Sequence, residues 1–350
     1  MLDFEPRRIV MIKPSALGDI VHSLPVLTAL RQRFPQAHLA WAVNRVYEPL
    51  LRDHPHLDAL VLFDRGQSRD GYLAGILGFT GYLRKLQRQR FDLAIDLQGL
   101  LRTGVMAFAT RARARIGLAS AREGAPWFYT HRVDDRQEGL HAVDRYWLVA
   151  EALGAAFGDK QFILPIDAQA RQWARELLHD HPRPWLAVGV GARWITKRWP
   201  PQHFAALTQR ALDKFGGTAV FVGTPDEAAL AREAAARLSG HVIDVAGRTD
   251  LRQLVALLAE ADLMIANDTG PLHVAVALGR PVVAPYTCTQ VVRTGPYGQV
   301  GHGVETSVWC RGSYLKTCPR LECMPELTPD RLWLPLHDLL VTWQRQRQPA

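Results

Sequence analysis

The sequence predicts an α/β protein built from two doubly wound domains, and three observations carry that expectation. Short β-branched runs alternate with helical periodicities, the pattern of parallel βαβ units. The alternation runs twice in similar order, without an evident repeat of sequence. A chain of 350 residues is long for one hydrophobic core and ample for two.

In the first half, Arg8 to Lys13 (RIVMIK) reads as a strand, followed by a Pro-Ser-Ala-Leu-Gly-Asp turn. Val21, Leu24, Leu27 and Leu30 then fall on one face of a helix that stops near Pro35. His38 to Val43, Leu60 to Phe63 and Leu93 to Asp96 continue as strands. In the second half, Trp185 to Val190, Thr218 to Val222, Val242 to Val245, Leu263 to Asn267 and Val282 to Pro285 read as strands. Helices are expected over Pro201 to Lys214, Asp226 to Leu238, Asp250 to Glu260 and Pro271 to Leu278. Proline and polar residues between Phe162 and Pro184, around a helix at Ala168 to Leu178, mark the boundary. The expected domains are residues 1–165 and 166–328, with a helix over 329–347 free to pack back on the first.

Composition narrows the partners. Lysine and arginine number 42 against 34 acidic residues, a formal net charge of +8. Such a surface suits nucleic acid, an anionic membrane or a phosphorylated substrate. No RNP, zinc-finger or helix-turn-helix signature occurs, which disfavours nucleic acid. No run approaches the roughly 18 apolar residues of a membrane span. The first residues lack the apolar core of a signal peptide, so a cytoplasmic protein is expected. Cys310, Cys318 and Cys323 have seven and four residues between them, a spacing that favours a structural loop over zinc. No metal is predicted.

Function is expected where open parallel sheets hold ligands, beyond the carboxyl ends of their strands. The strand ending at Asn267 runs into Asp268-Thr269-Gly270-Pro271 and then a helix. Glycine there lets backbone approach a ligand, and the helix N-terminus favours an anion such as diphosphate. The competing explanation is a simple helix cap by Asp268 or Thr269. The loop after Val190 carries Arg193, Lys197 and Arg198, which make a phosphate clamp or a solvated surface. Glu227 can meet ribose hydroxyls or merely start its helix. In the first half, Gly18-Asp19 opens a helix, and Asp19 is a candidate proton acceptor for a hydroxyl nucleophile or a plain cap. The absence of G-x-G-x-x-G after the first strand disfavours a dinucleotide oxidoreductase.

These residues also carry a resemblance. Lys-Pro-Ser-Ala-Leu-Gly-Asp-Ile-Val-His-Ser-Leu-Pro after the first strand and NDTGPLHVAVALGRPVV near the end are similar to glycosyltransferase family 9 heptosyltransferases. Asp96 to Leu100, Ala121-Arg122-Glu123 and Leu140 to Arg145 resemble acceptor motifs of the same family. The resemblance implies a GT-B fold, two Rossmann-like domains facing each other across a cleft. It implies an ADP-L-glycero-β-D-manno-heptose donor, a Kdo-lipid A type acceptor in the lipopolysaccharide inner core, inversion at the anomeric centre and no cofactor. By that likeness Asp19 is the base. Lys197, Arg193, Glu227, Asp268, Thr269, Gly270 and His273 hold the donor, and Gly18, Gln98, Arg122, His141 and Arg145 serve the acceptor. His273 is equally a packed core residue on its spacing. The segment Tyr286-Thr287-Cys288-Thr289 departs from the Tyr-Gly-Pro-Thr type of turn common in the family, which leaves the donor sugar open. The cysteine tail occurs in only part of the family and leaves the acceptor open.

One further series bears on partners. Tyr72, Leu73, Ile76, Leu77, Phe79, Tyr82, Leu83 and Leu86 alternate with Arg84, Lys85, Arg88 and Arg90. Such a helix either rests on an anionic membrane, giving peripheral contact with the inner membrane, or faces a core with a solvated basic side. Competing functions are a nucleotide-sugar epimerase, which shares this architecture, and a non-catalytic nucleotide or glycolipid binder.

Overall fold

The computed structural model describes residues 2–64 and 71–347, the side chains of 71–74 excepted. The chain divides into two compact units, Met1–Pro165 and Ile166–Ala350.

The first unit holds a parallel sheet of β1 (Arg8–Ile12), β2 (His38–Asn44), β3 (Ala59–Phe63), β4 (Leu93–Asp96), β5 (Ala114–Leu118) and β6 (His131–Val133), ordered β3-β2-β1-β4-β5-β6. Its helices are α1 (Leu17–Arg33), α2 (Glu48–Leu51), α3 (Gly71–Arg88), α4 (Leu101–Ala109) and α5 (Ala142–Ala152). β1 pairs with β2 through Ile9 and Leu39 and with β4 through Ile9 and Leu93. Helices on both faces leave its side chains buried on either side, which explains a continuous apolar run instead of alternation.

The second unit repeats the plan with β7 (Trp185–Gly189), β8 (Thr218–Phe221), β9 (His241–Asp244), β10 (Leu263–Ala266), β11 (Val282–Tyr286) and β12 (Gly303–Glu305). Their order, β12-β11-β10-β7-β8-β9, is the first sheet's order read from the other edge. The helices are α6 (Ala168–Leu178), α7 (Pro201–Phe215), α8 (Ala228–Ala235), α9 (Leu251–Glu260), α10 (Gly270–Ala277), α11 (Val291–Thr294), α12 (Cys323–Glu326) and α13 (Pro329–Arg347). α9 starts at a capping box: Asp250 accepts from Gln253 N at 2.8 Å, and the Gln253 side chain accepts from Asp250 N at 3.0 Å. Leu332, Leu336 and Leu340, spaced every fourth residue along α13, are buried in this unit's core with Trp199 and Phe204.

Both sheets reverse direction of growth at one point, between β1 and β4 in the first and between β7 and β10 in the second. Crevices open beyond strand ends at such switch points. The loops after β1 and β4, and after β7 and β10, are the ones the sequence singled out.

Three strands escaped the sequence reading. β5 (ARIGL) and β6 (HRV) carry arginines and a glycine that hide the β pattern, and β12 (GVE) is only three residues long. For α3, the core-facing alternative holds over most of the helix. Tyr82 and Leu86 are buried and Phe79 and Leu83 pack against that core, while Arg84, Lys85 and Arg88 are exposed. Ile76 and Leu77 are exposed. The Tyr72 and Leu73 side chains lie outside the described residues.

Candidate active site

In the first unit, the loop after β1 brings Asp19 into the first turn of α1. Its Oδ2 accepts from the Ala16 backbone N–H at 3.2 Å. Its Oδ1 accepts from the Tyr146 hydroxyl of α5 at 3.3 Å and lies 3.9 Å from Lys13 Nζ. The side chain remains 40% exposed, enough for a substrate hydroxyl to reach it. Gly18, one position earlier in the same turn, is partly exposed.

Lys13 is fully buried, and its ammonium donates to Leu97 O at 3.0 Å and to Tyr146 Oη at 2.8 Å. Burial pulls its pKa below the usual lysine value, while Asp19 and Asp96 oppose the shift. Tyr146 thus accepts from Lys13 and donates to Asp19, which fixes the orientation of the carboxylate. Burial raises the Tyr146 pKa well above the ordinary phenol, so the hydroxyl keeps its proton.

Asp96 ends β4 with no exposure. Its oxygens accept from Gln98 N at 2.9 Å, Gly99 N at 3.1 Å and Tyr129 Oη at 2.7 Å. Burial raises its carboxyl pKa against these bonds. Gly99 adopts φ +67, and a Cβ there would stand 2.9 Å from that of Ala121. This close approach lets Arg122 N donate to Gly99 O at 2.8 Å, docking the Arg122 loop on the β4 turn. The Arg122 side chain is exposed. Arg145 is held instead by ion pairing and hydrogen bonding, with Nε on the buried Asp135 Oδ2 at 2.5 Å and a terminal nitrogen on Ser120 Oγ at 2.6 Å, its own side chain 40% exposed. His141 is buried and caps α5, its Nδ1 accepting from Val143 N at 3.1 Å. Its ring meets that of His22 edge-on at 5.4 Å.

Beside the β1 and β4 loops lies a cavity of about 520 Å³. Ser15, Gln98 and Arg102 contribute polar lining, and Phe63, Phe79 and Leu101 apolar lining. Gln98 Oε1 is buried without a hydrogen-bond partner.

In the second unit, the β7 and β10 loops meet. Lys197 Nζ lies 2.6 Å from Asp268 Oδ2 and donates to Asp268 O at 3.2 Å. His273 Nε2 is 3.3 Å from Asp268 Oδ1, and Thr289 Oγ1 donates to Oδ2 at 2.7 Å. Burial alone would raise the Asp268 carboxyl, but the His273 hydrogen bond and the Lys197 charge hold it well below the usual range. His273 therefore serves this cluster and is not merely core packing. Asn267, fully buried, joins the loops: Nδ2 donates to Val190 O at 2.7 Å and Oδ1 accepts from Trp199 N at 3.1 Å.

Side-chain capping does not explain the turn. Thr269 is the N-cap residue of α10, yet its side chain makes no cap hydrogen bond and donates to Asn267 O at 3.2 Å. The first N–H groups of α10, beginning at Gly270, thus lack the side-chain partner such groups usually find. Glu227 is held by Thr224 N at 2.9 Å, and a Cβ on Gly191 would stand 2.2 Å from its Cδ. Gly191 makes room for that carboxylate. Arg193 is exposed, whereas Arg198 braces its own loop through Ala192 O at 2.7 Å. The Tyr286–Thr289 segment takes part as well, with Tyr286 buried and Thr289 on Asp268. Among the described residues no group of three or more His, Cys, Asp or Glu is arranged to hold a metal ion.

The sequence reading missed Lys13, Tyr146, Asn267 and Thr289. Lys13 left a signal, a lysine ending a buried strand at the head of a conspicuous motif. Asn267 and Thr289 lie in segments the sequence singled out, but their own roles, like that of Tyr146, become visible only through their partners in the fold.

Known proteins resemble this chain in sequence and in fold. Lipopolysaccharide heptosyltransferase 1 of Pseudomonas aeruginosa is 29% identical over 323 residues, covering 89% of this chain and 87% of its own. A glycosyltransferase family 9 crystal structure from Veillonella parvula superposes with a TM-score of 0.84 at 23% identity, covering 97% of this chain and 99% of its own. The Escherichia coli heptosyltransferase WaaC with ADP-2-deoxy-2-fluoro heptose gives 0.71 at 23% identity, with 95% and 99% covered. These structural likenesses support the two-domain, doubly wound fold. The model of glycosyltransferase family 9 (heptosyltransferase) matches residues 80–323, more than half of the sequence, and the chain belongs to that family.

Proposed function

We propose that the protein is an inverting transferase that moves heptose from ADP-L-glycero-β-D-manno-heptose to the Kdo region of a lipopolysaccharide inner core. The observation that carries this reading is Asp19, half exposed at the switch point of its sheet with both oxygens oriented by Ala16 N and Tyr146. An inverting transfer is one in-line displacement. Asp19 takes the proton of the acceptor hydroxyl as its oxygen bonds to the anomeric carbon, and the bond to the diphosphate breaks with its electron pair leaving on ADP. The leaving charge falls to Lys197, Arg193 and the N-terminus of α10. Lys197 has three N–H donors, two of them on Asp268, which leaves one for a phosphate oxygen. Asp268 and His273 fix that lysine, and Glu227 meets the ribose. Gln98 Oε1 and the 520 Å³ cavity it lines serve the acceptor, together with Arg122, His141 and Arg145. No metal takes part in this scheme, and the work is done on the cytoplasmic face of the inner membrane.

The test is incubation with ADP-heptose and Kdo₂-lipid A, following ADP release and product mass. Asp19→Asn should lower kcat by about a thousandfold with donor affinity retained, and a chelator should leave turnover unchanged. Full activity of Asp19→Asn sinks the base assignment. Conversion of donor without acceptor would favour epimerisation instead.

A further inference from the structure

The first unit presents an apolar face that its own core does not cover. Leu101, Val105 and Phe108 recur at i, i+4 and i+7 along α4 and so share one side of that helix. Leu101 is 46% and Phe108 57% exposed. The short 3₁₀ turn Ala125–Phe128 packs beside α4, because Gly104 leaves room for Phe128 and Ala125. It sets the Phe128 ring 5.9 Å from that of Phe108 and holds Trp127 out in solvent, 83% exposed. Aromatic residues this exposed are not the surplus of a filled core.

Arginines border the same face. The Arg115 guanidinium lies 5.6 Å from the Phe108 ring centre, and Arg132 Nε donates to Pro126 O at 3.0 Å, next to Trp127. Arg102 follows Leu101 on α4, and Arg111 follows the end of that helix; both are exposed, as is Arg122 in the adjoining loop. Against these five stands Glu123, which accepts from Leu101 N at 3.3 Å. Arg113 is answered by Asp3.

We infer that this α4 face, with Trp127 at its edge, docks the protein on an anionic lipid surface. Apolar and aromatic side chains enter the headgroup boundary, and the arginines meet lipid phosphates. A second copy fits less well, since a self-complementary contact would set the arginine border against itself. The inference rests on the proposed lipid-linked acceptor and locates its approach. Leu101 and Val105 belong both to the exposed stripe and to the cavity wall that includes Ser15 and Gln98. A headgroup extending from the docked membrane therefore enters beside the loop that carries Asp19.

The experiment is co-sedimentation of the full chain with vesicles of phosphatidylcholine alone or mixed equally with phosphatidylglycerol. Binding should require the anionic lipid and weaken with salt. Trp127→Ala or Phe108→Ala should lower partition roughly tenfold, and Arg132→Gln about fivefold. Trp309→Ala, at an equally exposed tryptophan of the other unit, should bind as the parent does. ADP release with acceptor dispersed in detergent micelles should be the same in every variant, so failure of transfer chemistry is read separately. Equal binding to neutral vesicles, parental binding by Trp127→Ala and Phe108→Ala, or loss of self-association in their place overturns the inference.

Discussion

Lys197 and Asp268 stand 71 positions apart in sequence and 2.6 Å apart in space, each in the loop that follows a different strand. The contact is shielded, with side chains 18% and 3% exposed, so it is not an ordinary surface ion pair. Removing one member strands the other.

Lys197→Met should therefore destabilise the second unit by about 3 kcal/mol, a cost moderated by the bonds from His273 and Thr289. Chemical denaturation measures that loss, and calorimetry should show ADP affinity falling with it. A Lys197→Met/Asp268→Leu double variant should recover part of that stability, less what His273 and Thr289 lose with their acceptor, without recovering ADP binding. If the single variant binds ADP as the parent does, Lys197 is only a brace.

Gly191 and Glu227 form a second linked pair. A methyl group at 191 would displace the Glu227 carboxylate, whose flexible end can swing aside without moving backbone. Gly191→Ala and Glu227→Ala should each weaken donor binding roughly tenfold, and the double variant should be no worse than either. Additive losses in that cycle would show that the two positions act separately.

His54 should contribute to the acid sensitivity of the first unit. Its Nδ1 accepts from His56 N at 3.1 Å, so the other nitrogen carries the proton and donates to Ile163 O at 3.0 Å. Burial, aided by His56, pushes its pKa down to about 4. Above about pH 6.5 both folded and unfolded states are neutral at this site. Below that, the unfolded chain takes up a proton that the folded chain refuses until about pH 4. Stability should fall through this window by about 3 kcal/mol and then level off. Urea midpoints measured across the window should drop less steeply in His54→Leu; parallel slopes would remove His54 from the account. His38 and His56 shift in the same direction, so the difference between the two proteins isolates His54.

What was legible in the sequence follows from range. Strands with β-branched runs and the turns that follow them are local, so both halves of the fold and the Asp19 and Asp268 turns could be read directly. Tyr146 is 127 positions from Asp19; the Leu140 to Arg145 motif directly before it was legible, but nothing in the sequence announces the contact. Thr289 lies in the very segment whose departure from the family pattern left the sugar open, yet it supports Asp268. On α3 the basic stripe was legible, but periodicity does not say which apolar face is covered. The α4 stripe escaped notice because α4 itself was not predicted.

On the proposed function, the start of α10, without a side-chain cap from Thr269, ties the protein's persistence to its supply of ligand. An anion bound by the folded chain and not by the unfolded one raises the free energy of unfolding along with the saturation of the site. At a hundred times the dissociation constant the gain is about 2.7 kcal/mol. With the proposed donor as that ligand, a cell short of it would hold more of this chain in the unfolded state that proteases degrade, making abundance itself respond to donor concentration.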